Sequence, residues 1–309
     1  MPKPTIDAPS PKAAPPEVYP VGLSFDVEEH FRIETAAHLE VTAELKEAYA
    51  RRMEDATRWL LDQLGERGIR ATFFVVGQIA RSHPRLVRRM AEEGHEVGSH
   101  SWQHKRVHQF DATSFREDLR QSMDALSDAT GQPVVGFRAP TFSVMRQTSW
   151  AIDVLAEAGL LYDSSIFPVR HDRYGVPDAP RSAFVVEGER RELLELPPLT
   201  LRAFGQNLPV AGGGYFRLFP LAVMRRGIEQ AAQRSHSPAV LYFHPWEFDP
   251  EQPRLPLTRL SRFRTYVGVN RTRGRLLRLL AGHRFTTLRD LAERMGPSRD
   301  QLPRFRLVA

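Results

Sequence analysis

Short apolar runs alternate along this chain with stretches whose apolar residues recur at helical spacing, and that alternation limits the folds open to it. Segments 21–25, 71–77, 95–98, 134–137, 160–162, 193–196, 240–243 and 284–286 read as strands. Between them, Met53, Ala56, Leu60 and Leu64 share a helical face that ends at Gly65 and Gly68. Pro84 opens a helix carrying Leu86, Val87 and Met90, and Gly94 ends it. Ser114 and Glu117 have the spacing of a capping box ahead of Leu119, Met123 and Leu126. Trp150, Val154 and Leu155 lie on a helix closed by Gly159, and 288–295 is a last short helix. Strands that are apolar throughout, with helices between them, call for a parallel sheet covered on both faces. The 309 residues suffice for one large α/β domain or two small ones. No internal repeat at a fixed period is visible.

In such folds the chemistry sits at the carboxyl ends of the strands, and five of these ends carry acids, histidines or an arginine. Asp26 and Glu28 follow the first strand, His100 and His104 the third, and Arg138 the fourth. Asp163 follows 160–162 and His244 follows 240–243. In HSWQH the spacing of four puts His100 and His104 on one face of a helix or helical turn. Two imidazoles and one carboxylate can hold a metal and leave positions open for water and substrate. In SFDVEEHF a strand puts Asp26 and Glu28 on one face and Glu29 on the other. One acid can then bind the metal while the other takes a proton from water. Arg138, in FRAP, can pair with a carboxylate and fix its orientation. His244, in YFHPWEF, is a candidate general acid. Taken singly, each has a commonplace reading: packed histidines, solvent-facing acids, a surface arginine, a core histidine. Their convergence on five strand ends favours a site. The glycines at 212–214, followed by Tyr215, read as a flexible turn rather than a phosphate loop.

The chain has no cysteine, so disulfides, thiolate metal sites and cysteine nucleophiles are excluded, and any metal is held by His, Asp and Glu. The net charge of +6 would suit an anionic partner such as nucleic acid, acidic glycan or a membrane surface, but the basic residues are scattered and no nucleic-acid motif occurs. No nucleic-acid partner is therefore expected. No run approaches the roughly 18 apolar residues of a membrane span, and the N-terminus lacks the pattern of a secretory signal. A cytoplasmic protein is expected, with peripheral attachment at the inner membrane face left open. Residues 1–19 are Pro-rich and read as a flexible tail.

Together SFDVEE, HSWQH, FRAP and YFH resemble, in order, the motifs of the polysaccharide deacetylase family, the NodB-homology or carbohydrate esterase family 4 enzymes. DVEEHF, YDSSIFP, GGGYFRLFP and YFHPWEFDP are similar to the deacetylases found with exosortase systems of exopolysaccharide producers, which carry a C-terminal extension. The resemblance implies an α/β fold, a deformed (β/α) barrel of about seven parallel strands. It places a deacetylase core at 20–160 and an extension at 161–300 that completes the site through His244. Carried over by residue, Asp26 is the base. Glu28, ahead of Glu29, joins His100 and His104 as ligands of one divalent ion. Zinc suits that set, and cobalt, nickel, iron or manganese are compatible. Arg138 orients Asp26, His244 is the acid, the backbone N–H of Thr141 helps hold the oxyanion, and Tyr215 contacts substrate. The family usually has two adjacent aspartates where Val27 here separates Asp26 from Glu28. Its Asp-Trp element is not recognisable; Asp163 is assigned the Asp role, raising the pKa of His244, and the Trp role has no counterpart. The implied substrate is an N-acetylated polysaccharide or lipid-linked oligosaccharide. The oligomeric state is left open. The alternatives are a cyclic amide or ureide hydrolase of the same fold and a catalytically inactive carbohydrate-binding barrel.

Overall fold

A computed structural model describes residues 19–308, so the expected tail lies outside the described residues except for Tyr19. The first strand, β1 (Val21–Val27), is buried along its whole length, as its apolar run requires. Strands β2 (Thr72–Val75), β3 (Glu96–Ser99), β4 (Gly136–Phe137) and β5 (Tyr162–Asp163) follow, each parallel to the one before it. The connections carry α1 (Ala43–Gly65), α2 (Gly77–Ser82), α3 (Pro84–Glu92), α4 (Ala112–Thr130) and α5 (Trp150–Glu157). Strands β6 (Phe184–Glu187) and β7 (Glu192–Glu195) form an antiparallel hairpin whose second strand continues the parallel order beside β5. A separate hairpin, β8 (Thr200–Ala203) with β9 (Gln206–Pro209), precedes α6 (Gly213–Leu218) and α7 (Leu221–Ala232).

Strand β10 (Val240–Phe243) returns to the other side of β1, again parallel. Then come α8 (Arg259–Tyr266), α9 (Val269–Leu280), β11 (Phe285–Thr286) against β1, α10 (Leu288–Met295), and β12 (Arg304–Arg306) against β6. Seven strands thus run parallel in the order β10-β1-β2-β3-β4-β5-β7. Just past β7, the Leu199 N–H donates to Val240 O of β10 at 2.9 Å and brings the two edges together. The fold is α/β, as expected.

Two local readings change. Helix α4 starts one turn earlier than Ser114: Asp111 is the cap, its carboxylate accepting the Ser114 N–H at 2.7 Å while Ser114 Oγ accepts the Asp111 N–H at 3.0 Å. The 212–214 glycines are not a loose turn. Gly212 bridges to Tyr242, where a Cβ would stand 1.6 Å from Tyr242 O, and Gly213 and Gly214 open α6. Only a residue without a side chain allows that approach.

Register decides where the polar residues meet. Asp26 pairs with Phe74, Phe25 with Phe243, Ser99 with Phe137, and Phe137 with Asp163. The strand ends that carry Asp26, His100, Arg138, Asp163 and His244 therefore come to one level. At the opposite end α10 closes the core, with Leu291 so near Gly22 that a Cβ there would lie 2.8 Å from its Cδ1. No helix among the described residues is long and apolar enough to cross a membrane.

Candidate active site

Asp26 is the last inward-facing residue of β1, and Arg138 follows β4. Both are buried, and Arg138 is 0% exposed. The guanidinium is held on every side. Nη1 donates to Asp26 Oδ1 at 2.8 Å and to Ser24 Oγ at 2.7 Å; Nη2 donates to Ser164 Oγ at 2.9 Å and Nε to Ser164 O at 3.1 Å. The ring of Phe74 lies 4.4 Å beneath it. A buried ion pair is stable only when its remaining hydrogen-bonding capacity is met, and here the serines meet it. The second oxygen, Asp26 Oδ2, is left towards His244 Nε2 at 4.0 Å.

Glu28, His100 and His104 gather with one donor atom each within 4.8 Å of one another. The histidines do not share a helix face. Residues 100–104 form a loop in which Ser101 and His104 have φ of 66° and 63°. The N–H groups of Gly77 and Gln78, opening α2, donate to Ser101 O and Trp102 O at 2.9 and 3.1 Å, and the Trp102 N–H donates to Asp118 Oδ2 at 2.9 Å. Those bonds take the place of a helical ladder and set the imidazoles side by side, 5.0 Å between ring centres. Glu29 is turned away, bonded to Arg32 Nε at 2.5 Å.

The donor set fits a divalent cation. His100 Nδ1 lies 2.7 Å from Arg138 O; a carbonyl only accepts, so Nδ1 carries the hydrogen and Nε2 keeps a lone pair. Burial lowers the His100 pKa to about 4, which keeps the ring neutral at physiological pH. Glu28 Oε2 is buried without a properly directed hydrogen bond, although His104 Nε2 lies against it. Burial would raise the Glu28 pKa, but His104, His244 and His100 outweigh that and hold it well below the usual carboxyl range.

His244 sits where β10 ends, as N-cap of a turn over Pro245–Phe248. Proline opens such a turn readily, and the residue three places on folds back over its first N–H. Glu247 therefore accepts both the His244 N–H, at 3.0 Å, and the imidazole Nδ1–H, at 2.8 Å. Its other oxygen is bonded to Arg217 of α6, which also donates to the carbonyls of Arg264 and Thr265 at 3.2 and 3.1 Å. Burial would depress the His244 pKa, but the Glu247 hydrogen bond and the charges of Glu28, Glu247 and Asp26 push it up to about 9. Trp246 stacks on His244 with ring centres 5.4 Å apart and donates from Nε1 to Glu28 Oε1 at 3.3 Å.

Asp163 is not brought to His244, whose ring nitrogens face Glu247 on one side and Asp26 and Glu28 on the other. It accepts from Ser165 Oγ and the Ser164 N–H at 2.5 and 2.9 Å and neighbours Glu195. Glu247, Arg217 and Trp246 stand around His244 instead, and none of them was anticipated. The Glu247 signal was present as a capping spacing in HPWEF; Arg217, remote in the chain, had none. Thr141 lies on the turn after FRAP in the left-handed region, at φ 56°. That conformation is an outlier for a β-branched residue. No acceptor for its N–H is found among the described residues. Glu28, His100, His104, Thr141, His244 and Trp246 share a cleft of about 240 Å³. Gly214 lines it, whereas Tyr215 packs against Phe219 with ring centres 5.9 Å apart.

Residues 45–162, which include His100, His104, Arg138 and Thr141, match the profile of the polysaccharide deacetylases. Over these residues the chain carries a polysaccharide deacetylase domain. Residues 164–293 match a second profile, a domain of unknown function, DUF3473, and there lie Arg217, His244 and Glu247. Asp26 and Glu28 precede both matched segments, so the cluster draws on three stretches of chain. A peptidoglycan-N-acetylglucosamine deacetylase of Listeria monocytogenes is 33% identical over 106 residues, covering 31% of this chain and 23% of the relative. This chain thus spans under a quarter of that relative's length. A protein of Mycobacterium smegmatis solved as a candidate polysaccharide deacetylase superposes with a TM-score of 0.60 at 21% identity, covering 95% of this chain and 97% of the other. An allantoinase does so with a TM-score of 0.60 at 16% identity over 90% of each chain. At these identities the two superpositions establish a shared fold only.

Proposed function

We propose that this protein is a metal-dependent N-deacetylase acting on N-acetylated amino sugars in a polysaccharide. The observation that carries the reading is the convergence of three metal donors with two proton-transfer groups. His244 Nε2 stands 4.0 Å from Asp26 Oδ2 and 3.8 Å from Glu28 Oε1. Acetamide hydrolysis asks for a base, an acid and stabilisation of the carbonyl oxygen. Glu28, His100 and His104 would hold a divalent ion, most suitably zinc, with cobalt, nickel, iron and manganese compatible. Such an ion polarises a carbonyl and acidifies water.

Asp26, its direction held by Arg138, takes the proton of the water that adds to the acetyl carbon. The strained Thr141 turn offers its free N–H to the carbonyl oxygen as that oxygen gains charge. His244 delivers its proton to the nitrogen as the C–N bond breaks, so acetate and the amino sugar leave. In this reading 20–160 is the deacetylase core and 161–300 completes the site. We assign the work to exopolysaccharide biosynthesis in the cytoplasm, on polymer or lipid-linked oligosaccharide, on the strength of the DVEEHF, YDSSIFP, GGGYFRLFP and YFHPWEFDP stretches.

The test is acetate release from a panel of N-acetylglucosamine and N-acetylgalactosamine polymers, before chelation, after it, and after adding metal back. Release that chelation abolishes and metal restores is expected, with His100→Ala losing metal and activity together. Release indifferent to chelation would remove the metal from the reading. Glycan binding without any acetate release would make the chain a binding barrel.

A further inference from the structure

We propose that the substrate is an anionic glycan whose carboxylate or phosphate is held by Arg173 and Arg264 at the wall of the cleft; the proposal rests on the deacetylase reading of the same site. The charges lining the cleft are otherwise matched. Glu34 is paired with Arg106 at 2.9 Å, Arg217 with Glu247, and Glu28 with the imidazoles. Arg173 and Arg264 line the same cleft, yet neither guanidinium has a hydrogen-bond or ion-pair partner among the described residues. Asp172, the acid next to Arg173, is exposed, lies 3.0 Å from His171 Nδ1, and makes no ion pair with either arginine among the described residues. Both arginines act on one imidazole: after burial, Arg173 and Arg264 are the charges that lower the His171 pKa. They therefore lie around one place.

Arg173 is half-buried and Arg264 exposed, so both guanidinium groups are open to an anion that enters the cleft. Their planar fork suits carboxylate and phosphate alike. The surface beside it suits a sugar. His171 stacks on Tyr174 at 4.0 Å and 12°, and Tyr174 on Phe167 at 5.8 Å and 7°. Such a ring wall covers the apolar face of a pyranose while its hydroxyls stay wet. An acetamido sugar at the metal donors would thus have an acidic neighbour, a uronate or a phosphodiester, beside these arginines.

The metal-loaded full chain is titrated with three probes, and acetate release is followed in parallel. The first is a hexasaccharide of alternating glucuronate and N-acetylglucosamine, the second the same hexasaccharide with its carboxyls reduced to alcohols, and the third UDP-N-acetylglucosamine. Binding of the carboxylated probe at least about tenfold tighter than the reduced one is expected, with the difference shrinking from about 50 to about 200 mM salt. The double variant Arg173→Gln/Arg264→Gln should erase that difference and leave binding of the reduced probe unchanged. Preference for UDP-N-acetylglucosamine over the carboxylated sugar would identify the anion as phosphate. Equal affinity for charged and reduced probes, or a difference that survives in the double variant, overturns the proposal. Selective anion binding without acetate from any probe would sink the deacetylase reading while leaving the anion site in place.

Discussion

Asp26–Arg138 and Glu247–Arg217 are both buried carboxylate–guanidinium pairs, but only the first leaves a carboxylate oxygen towards the reacting space. In the second pair the carboxylate stands one ring further back and passes its charge to His244. The first arrangement suits a base, because the arginine fixes the carboxylate's direction and leaves its second oxygen free to accept a proton. The second suits an acid, because a carboxylate behind an imidazole favours its protonated form. Similar ingredients serve opposite proton transfers according to which group stands in front. A pair of two acids, Asp163 and Glu195, shows what happens without a dedicated arginine. Burial raises both carboxyls, Asp163 to about 6 and Glu195 well above its usual range; the Asp163 charge raises Glu195 further, whereas the hydrogen bond from Glu195 lowers Asp163.

Four substitutions test that contrast, in order of expected effect. Asp26→Asn removes the base and keeps the shape, so acetate release should fall towards the upper end of about 10²–10⁴-fold with metal content unchanged. A metal-free Asp26→Asn beside a metal-loaded Glu28→Gln would reverse the two roles. His244→Ala should cost about 10²–10³-fold with metal retained. Turnover within about threefold of the parent would show that another group donates the proton.

Glu247→Gln keeps the turn but withdraws the charge behind His244. The acid works only when protonated, so activity is lost as pH rises through its pKa. Lowering that pKa moves the alkaline limb of the rate profile down, with a loss of about tenfold at about pH 8 and little at about pH 6. An unmoved limb would separate Glu247 from the proton transfer. The smallest effect is on stability. Asp163 and Glu195 have folded pKa values above their unfolded ones, so the folded chain binds more protons, and stability falls as pH rises from about 4 through 6 and beyond. Glu195→Gln should flatten that fall by on the order of 1 kcal/mol in denaturant titrations between about pH 5 and 7. A slope equal to the parent's would remove the pair as its cause.

Much of this arrangement was legible in one dimension. Val240–Phe243 is a short apolar run that ends abruptly at His244, so the strand and the polar residue that follows it could be read together. The 164–280 stretch was harder. Hairpin strands such as Gln206–Pro209 mix polar and apolar residues, and the 213–218 helix opens on two glycines that local propensity assigns to a turn. HSWQH shows the limit of spacing arguments: four residues apart is helical geometry in principle, yet hydrogen bonds from Gly77, Gln78 and Trp102 bend the segment into a loop that still juxtaposes the rings.

By itself, the sequence determined the α/β alternation, the level of the sheet at which chemistry-bearing residues gather, and the residue types on offer, because periodicity and strand ends are local properties of the chain. Tertiary structure alone decided the partnerships. Whether His244 leans on Asp163 or Glu247, whether Glu28 or Glu29 joins the histidines, and which arginine is fully engaged while Arg173 and Arg264 find no partner among the described residues depend on burial and register between strands and helices remote in sequence. A charge withdrawn from water binds strongly to whatever opposite charge the packing places within a few ångströms, and no local pattern specifies which residue that will be.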